Sequence, residues 1–224
     1  MICNEWLDIL LFKKKPADIA GTTLGEGLKH LVIAGAIIGL LSGILDFVAR
    51  DQIIAAAEEA GLLLASLTPE PTAFDIVGST ILTPIVMVIG MLVLGVILHV
   101  LCLIVGGKGN LTNYIGVLAK IDAAITGTAM LAITVIGIVA ALAGVYMVAG
   151  QILALLTFVA LIWLLVLTVL ATQAVQKLSL GRTVIAVIVI PLVIAIIIAI
   201  MLAALIVAII ATAFSSTMGG LSTV

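Results

Sequence analysis

The sequence predicts an all-α fold, a polytopic membrane bundle of five transmembrane helices with a short interfacial N-terminal helix. Two observations predict it. Of the 224 residues, 65% are hydrophobic and only 9% are charged, whereas soluble domains are nearer half apolar and a quarter charged. The apolar residues are gathered into five stretches that each reach the ~20 residues needed to cross a hydrocarbon core of roughly 30 Å.

The first stretch runs from Leu28 to Val48 and the second from Pro84 to Val105, with Thr83-Pro84 as N-cap and proline at the first helical position. The third covers Gly116 to Ala141. A hairpin in "AGVYMVAG", Ala143 to Gly150, leads into the fourth, Gln151 to Gln173. The fifth, Thr183 to Phe214, is longer than a straight span requires, so a kink or a change of environment is expected at Pro191. Residues 106–115 and 174–182 form the loops on one side. Residues 49–83 form an acidic loop on the other, an amphipathic helix ending at the turn-forming "TPEP", and 215–224 form an uncharged tail on that same side. No cleavable signal peptide is expected, because the first apolar run is too long and begins too late.

Orientation follows from the basic residues. Lysine and arginine total nine, and with the N-terminus inside, Lys13, Lys14, Lys15, Lys29, Lys108, Lys120, Lys177 and Arg182 fall on the cytoplasmic side and only Arg50 on the outside. Cytoplasmic loops carry the excess of positive charge, so the expectation is a multi-pass protein of the cell membrane with a cytoplasmic N-terminus and an external C-terminus. Ahead of the first span, "MICNEWLDILLFKKKP" places Ile2, Trp6, Ile9 and Leu10 at helical spacing before three lysines, a pattern that suits residues 1–27 to the cytoplasmic interface. The net charge of −2 and the lack of a basic stripe interleaved with aromatics point away from nucleic acid. Cys3 and Cys102 form neither a metal pair nor a disulfide framework.

Gly106-Gly107-Lys108-Gly109 has the look of a phosphate-binding loop. A Walker-type loop needs glycine where Cys102 stands, Ser or Thr where Gly109 stands, and a preceding strand rather than a membrane helix. The glycines are better suited to left-handed C-cap conformations, with Lys108 beside the carbonyl end of the helix dipole. Asn110-Leu111-Thr112 is a formal glycosylation sequon, expected to stay bare on the cytoplasmic side.

Ionisable groups inside spans are functional candidates by default. Counting from the turn, His99, Lys120 and Asp122 fall in one layer of the second and third spans. Asp122 is expected to pair with His99 while Lys120 snorkels to the surface. Such a layer serves either as a structural tie or as an ion or proton site. Gln173 and Gln176 would join it or face headgroups. Gly35, Gly39 and Gly43, spaced four apart in "GAIIGLLSG", give the first span a smooth face for close approach of a helix of this chain or another. No Ser-His pair, carboxylate pair or metal motif is present, so neither catalysis nor a cofactor is expected.

The stretches "LHVLCLIVGGKGNLTNYIGVLAKIDA" and "LIWLLVLTVLATQAVQKLSLGRTVIAVIVIPLV" carry a resemblance over nearly the whole chain. It is similar to the Yip family, the Ypt/Rab-interacting five-span membrane proteins, in a prokaryotic form. The sharpest matches are Leu98-His99 followed by Gly106 to Gly109, and "LSLGR" from Leu178 to Arg182. The chain departs from the family at "VLAKIDA", where Lys120 and Asp122 stand in place of an early aromatic residue. Eukaryotic relatives carry a long cytoplasmic N-terminal region, whereas here residues 1–27 precede the first span, so a GTPase partner is not expected. The resemblance implies five spans, no known catalysis and pairing with another integral protein. The functional expectation is a scaffold or membrane-organising factor contacting lipid, a second copy or another membrane protein. The alternatives are a small transporter or proton-conducting bundle using His99 and Asp122, or a lipid-binding subunit of a larger complex.

Overall fold

A computed structural model describes residues 2–59 and 72–219, and every regular element in it is helical. In chain order these are α1 (Ile2–Leu10), α2 (Pro16–Ile19), α3 (Leu24–Glu59), α4 (Ala73–Ile104), α5 (Leu111–Ile125), α6 (Leu131–Leu142), α7 (Tyr146–Gln176), α8 (Leu180–Val184) and α9 (Ile190–Gly219). A π turn, Thr126–Met130, joins α5 to α6, and another, Ile185–Val189, joins α8 to α9. Five helical stretches are therefore long and apolar enough to cross a membrane: α3, α4, α5–α6, α7 and α8–α9. The "TPEP" turn and the tail beyond Gly219 lie outside the described residues.

The helices are longer than hydropathy alone suggests. The first continues well past Val48 to Glu59, and the second begins at Ala73, so Pro84 lies inside α4 and does not start it. The true start is marked by Thr72, whose backbone N–H and hydroxyl both donate to the Asp75 carboxylate at 2.6 and 2.8 Å. The third helix starts at Leu111 rather than Gly116, capped by Asn110, whose side-chain oxygen accepts from the Thr112 N–H at 2.9 Å and the Thr112 hydroxyl at 2.6 Å. The sequon is thus built as an N-cap. Just ahead of Pro191 the helix is irregular, with a π turn at Ile185–Val189 closed by the Ile190 N–H on the Ile185 carbonyl.

Helices α3 and α5 form the centre, α3 packing on α4, α5 and α6, and α5 also on α1, α4 and α7. The run from Tyr114 to Ile121 on α5 is buried throughout. The glycine face of α3 is covered from within the chain: Gly35 meets Pro84, and Gly39 and Gly43 meet Ser79 and Ile76 of α4. A Cβ at Gly35 would lie 2.7 Å from the Pro84 Cα, and the Ser79 hydroxyl donates to the Gly39 carbonyl at 2.9 Å. At the far end from the lysines, Gln52 of α3 donates to the Ala141 carbonyl at 2.8 Å and accepts from the Tyr146 N–H at 3.1 Å, bracing the α6–α7 hairpin where Gly144 turns with φ +73°. By contrast, α9 is exposed on every side from Leu192 to Val207.

Replacing Gly39 by leucine should overpack the α3–α4 contact and cost about 1–3 kcal/mol, read as a lowered unfolding temperature in detergent. Gly78→Ala on the same α4 turn is the control, because nothing lies within 4 Å of a Cβ there, and it should leave the transition in place.

Candidate functional site

The alternating run of the five helices brings the N-terminal segment, the 105–110 turn and the 177–179 turn to one end of the bundle, and eight of the nine lysines and arginines lie at or near that end. Two polar networks are built there. The first belongs to the glycine turn. Gly106 takes φ +95° after α4, and the Gly107 N–H reaches back to the Cys102 carbonyl at 2.7 Å, a Schellman closure of the helix. The turn then wraps the end of α7. Lys108 N–H donates to the Gln176 backbone carbonyl at 3.0 Å and Gly109 N–H to the Gln176 side-chain oxygen at 3.0 Å. The Gln176 amide nitrogen lies 2.8 Å from His99 Nδ1, and Gln176 is fully buried. Side chains have no room at this crossing: a Cβ at Gly107 would lie 3.0 Å and one at Gly109 2.7 Å from the Gln176 oxygen. The loop that looks like a phosphate cradle is a cradle for a glutamine of its own chain. Beside it, the Tyr114 and Thr172 hydroxyls hydrogen-bond at 2.9 Å, and the Tyr114 and His99 rings lie 6.0 Å apart.

The expected pairing of His99 with Asp122 is not formed. Because α5 starts at Leu111, Tyr114 already stands at the depth of His99, and Asp122, eight residues further on, lies about 12 Å deeper. His99 is instead satisfied by Gln176. Asp122 accepts a long 3.4 Å hydrogen bond from Thr126 at the π turn. It also lines a recess of about 260 Å³ between α4, α5 and α7 with Met91, Leu98, Leu118, Leu164 and Thr168, opening sideways past the exposed Gly90 and Leu94. The three residues expected in one layer are therefore divided among three sites.

Lys120 does not snorkel either. It is buried, its ammonium 2.8 Å from Glu5 of α1 and 2.5 Å from Glu26 of α3. Glu5 also receives Lys14 at 3.0 Å. Next to it, Trp6 Nε1 donates to His30 Nδ1 at 2.9 Å, and His30 Nε2 sits 3.8 Å from Glu5. An imidazole accepting at Nδ1 carries its proton at Nε2 when neutral, the nitrogen facing Glu5. The apolar face of α1 is thus covered by the bundle, not by lipid headgroups. Trp6 and Ile9 are buried, and the indole lies so close against Gly127 of the first π turn that a Cβ there would collide with it. Bulges of this kind concentrate at functional places in helices, and here the bulge seats a tryptophan. A close glycine contact, Gly27 of α3 against Gly116 of α5, and the Asn113 amide on the Ala20 carbonyl at 2.6 Å complete the end.

Sequence reasoning missed Glu5, Glu26, His30 and Trp6 as one cluster with Lys120. The available signal was a lysine within the third span together with Glu5 and Glu26 among the acidic residues ahead of the first. Among the described residues no group of three or more His, Cys, Asp or Glu is placed to hold a metal.

Two outcomes test this geometry. Gln176→Leu leaves the Gly109 N–H and His99 without their partner and should cost about 1–3 kcal/mol, measured by thermal unfolding in detergent. The Glu5 carboxyl is held at about 2, down from 4.5, chiefly by its hydrogen bond to Lys120 and then by Lys14, against partial burial that pushes the other way. A depressed carboxyl stabilises the folded state above its unfolded value and loses that contribution on protonation. Docking of α1 should therefore be constant above pH 4.5 and weaken as the pH falls toward 2. Protease cleavage of the released segment, or the fluorescence of Trp6, follows this, and Glu5→Gln should flatten the pH dependence.

The family model described as Yip1 domain matches residues 22–203. No curated protein and no solved structure matches the chain. The matched region contains the glycine turn, His99, Gln176, Lys120 and Glu26, and begins after α1, so Glu5 and Trp6 lie outside it. With five membrane-length helices and a family match over most of its length, the chain is a multi-pass membrane protein that belongs to the Yip1 domain family.

Proposed function

We propose that this protein is a non-catalytic scaffold or membrane-organising factor of the cell membrane, acting through lipid and protein contacts, with its lysine-rich end in the cytoplasm and the end of α9 outside. The observation that carries the reading is how the polar groups of the spans are used. Lys120 is neutralised by Glu5 and Glu26, His99 is closed on Gln176, and Tyr114 is closed on Thr172. These are ties between helices, and a satisfied network of this kind rigidifies a bundle. A conducting path needs polar groups facing a shared cavity near the midplane, and the recess at Asp122 is walled by leucine and methionine apart from Thr168. Protein contacts fall naturally to α9, exposed from Leu192 to Val207, where a second copy or another integral protein has an open helix surface to pack against. The family membership adds support, since a five-span membrane domain without known catalysis is what the resemblance implies. No GTPase partner is part of the reading.

Purified protein in liposomes should pass neither protons nor small solutes, and mild-detergent purification should bring a second copy or an integral partner with it. Proton or solute flux that disappears in Asp122→Asn would replace the scaffold with a transporter.

A further inference from the structure

The only two non-glycine residues with left-handed backbone among the described residues are Phe12, φ 55°, and Lys177, φ 53°. Both line the same recess, about 650 Å³ in volume, between the N-terminal segment and the end of α7. L-residues adopt this conformation at a cost, and such strain gathers where a side chain is needed in a particular place. Lys177 ends α7 at a position where glycine would fit without strain; the chain puts an ammonium there instead.

Lys15 and Gln173 join Lys177 on the polar side of the recess, with Leu170 and Leu178 beneath. Neither Lys15 nor Lys177 has an ion pair among the described residues. The Asp18 carboxylate accepts from the Lys15 backbone N–H at 2.8 Å. Leu170 also lines a second hollow of about 250 Å³, between α7 on one side and α8 with its π turn on the other, lined by aliphatic side chains that include Val169, Leu180, Val184 and Ile188. Leu170 stands seven residues before Lys177, about 10 Å further into the membrane. A cationic recess at the helix end and an aliphatic hollow further along the span thus share Leu170 as a common wall.

We propose that this recess and groove are a binding site for an anionic phospholipid, its phosphate between Lys15 and Lys177, its glycerol oxygens near Gln173 and one acyl chain along Leu170, Val169 and Val184. Opposite charge selects the headgroup, and the aliphatic groove selects a lipid over a soluble phosphate. Basic pockets between helices at a membrane surface bind anionic headgroups on this principle. The N-terminal segment supplies Phe12 and Lys15, so the site exists only while that segment stays packed against α7. It requires that the helices cross a bilayer and stands whether or not the scaffold reading holds.

The test uses the full chain in mild detergent with an equimolar mixture of phosphatidylglycerol and phosphatidylcholine of the same acyl chains. Bound lipid is counted by native mass spectrometry. Phosphatidylglycerol should be retained in preference, and the preference should fall about fivefold for each lysine removed, in Lys15→Gln and in Lys177→Gly. Lys177→Gly relieves the left-handed backbone. Its lipid-free form should therefore unfold at the same or a higher temperature while holding less lipid, which separates loss of the site from loss of the fold. Leu170→Trp should obstruct the groove and reduce retention of both lipids. Equal retention of the two lipids by the unsubstituted protein would overturn the proposal, as would a preference surviving in the double lysine variant or an unchanged load in Leu170→Trp. Displacement of the lipid by glycerol phosphate at comparable concentration would also overturn it, leaving a bare phosphate site.

Discussion

A charged lysine in the middle of a packed helix has to be answered by carboxylates, and in this protein the answer comes from two other elements. Lys120 draws Glu26 from the start of α3 and Glu5 from α1. Taking an ammonium out of water costs several kcal/mol unless partners replace its hydration, so the position of Lys120 dictates where α1 and α3 must lie. The rest of the lysine-rich end follows. Trp6, next to Glu5, is brought onto the π turn at Gly127 and onto His30, and the contact of Gly27 with Gly116 holds α3 close enough for Glu26 to reach.

Glutamines do at the turns what the ion cluster does in the core. Gln176 binds both the glycine turn and His99, and Gln52 binds both sides of the opposite hairpin. An amide donates and accepts at once, so one side chain satisfies two loose backbone or ring groups where no water is at hand. The glycines around Gln176 are there because the crossing leaves no space for a side chain. His99 is there to meet the amide that the crossing buries.

The five-span architecture was legible because crossing a membrane demands long apolar runs, and nothing else in a sequence looks like them. Helix ends on the side away from the lysines were not legible: α3 and α4 continue beyond the most apolar stretches, and Pro84, a natural start signal, proved to be an interior residue packed on Gly35. The same error of a few residues at Leu111 shifted the depth count and put Asp122 beside His99. The apolar face of α1 was visible as a pattern, but lipid and protein accept such a face equally well. What settles the choice is Glu5 finding Lys120, a contact between residues far apart in sequence. The family likeness could mark His99 and the glycines as belonging together. It could not name Gln176 as the group between them.

The docking of α1 on α5 also fixes an order of events in synthesis. Residues 2–10 are made before α5, yet the groups that receive them, Lys120 and Gly127, belong to the third span. While the first two spans are being inserted, Trp6 can meet His30 of α3 but neither Gly127 nor Lys120, so the site for the amphipathic segment is incomplete. Closure of the lysine-rich end is therefore a late step of biogenesis, and a chain stalled before its third span would display a free, acidic, tryptophan-bearing helix followed by three lysines as the mark of an unfinished molecule.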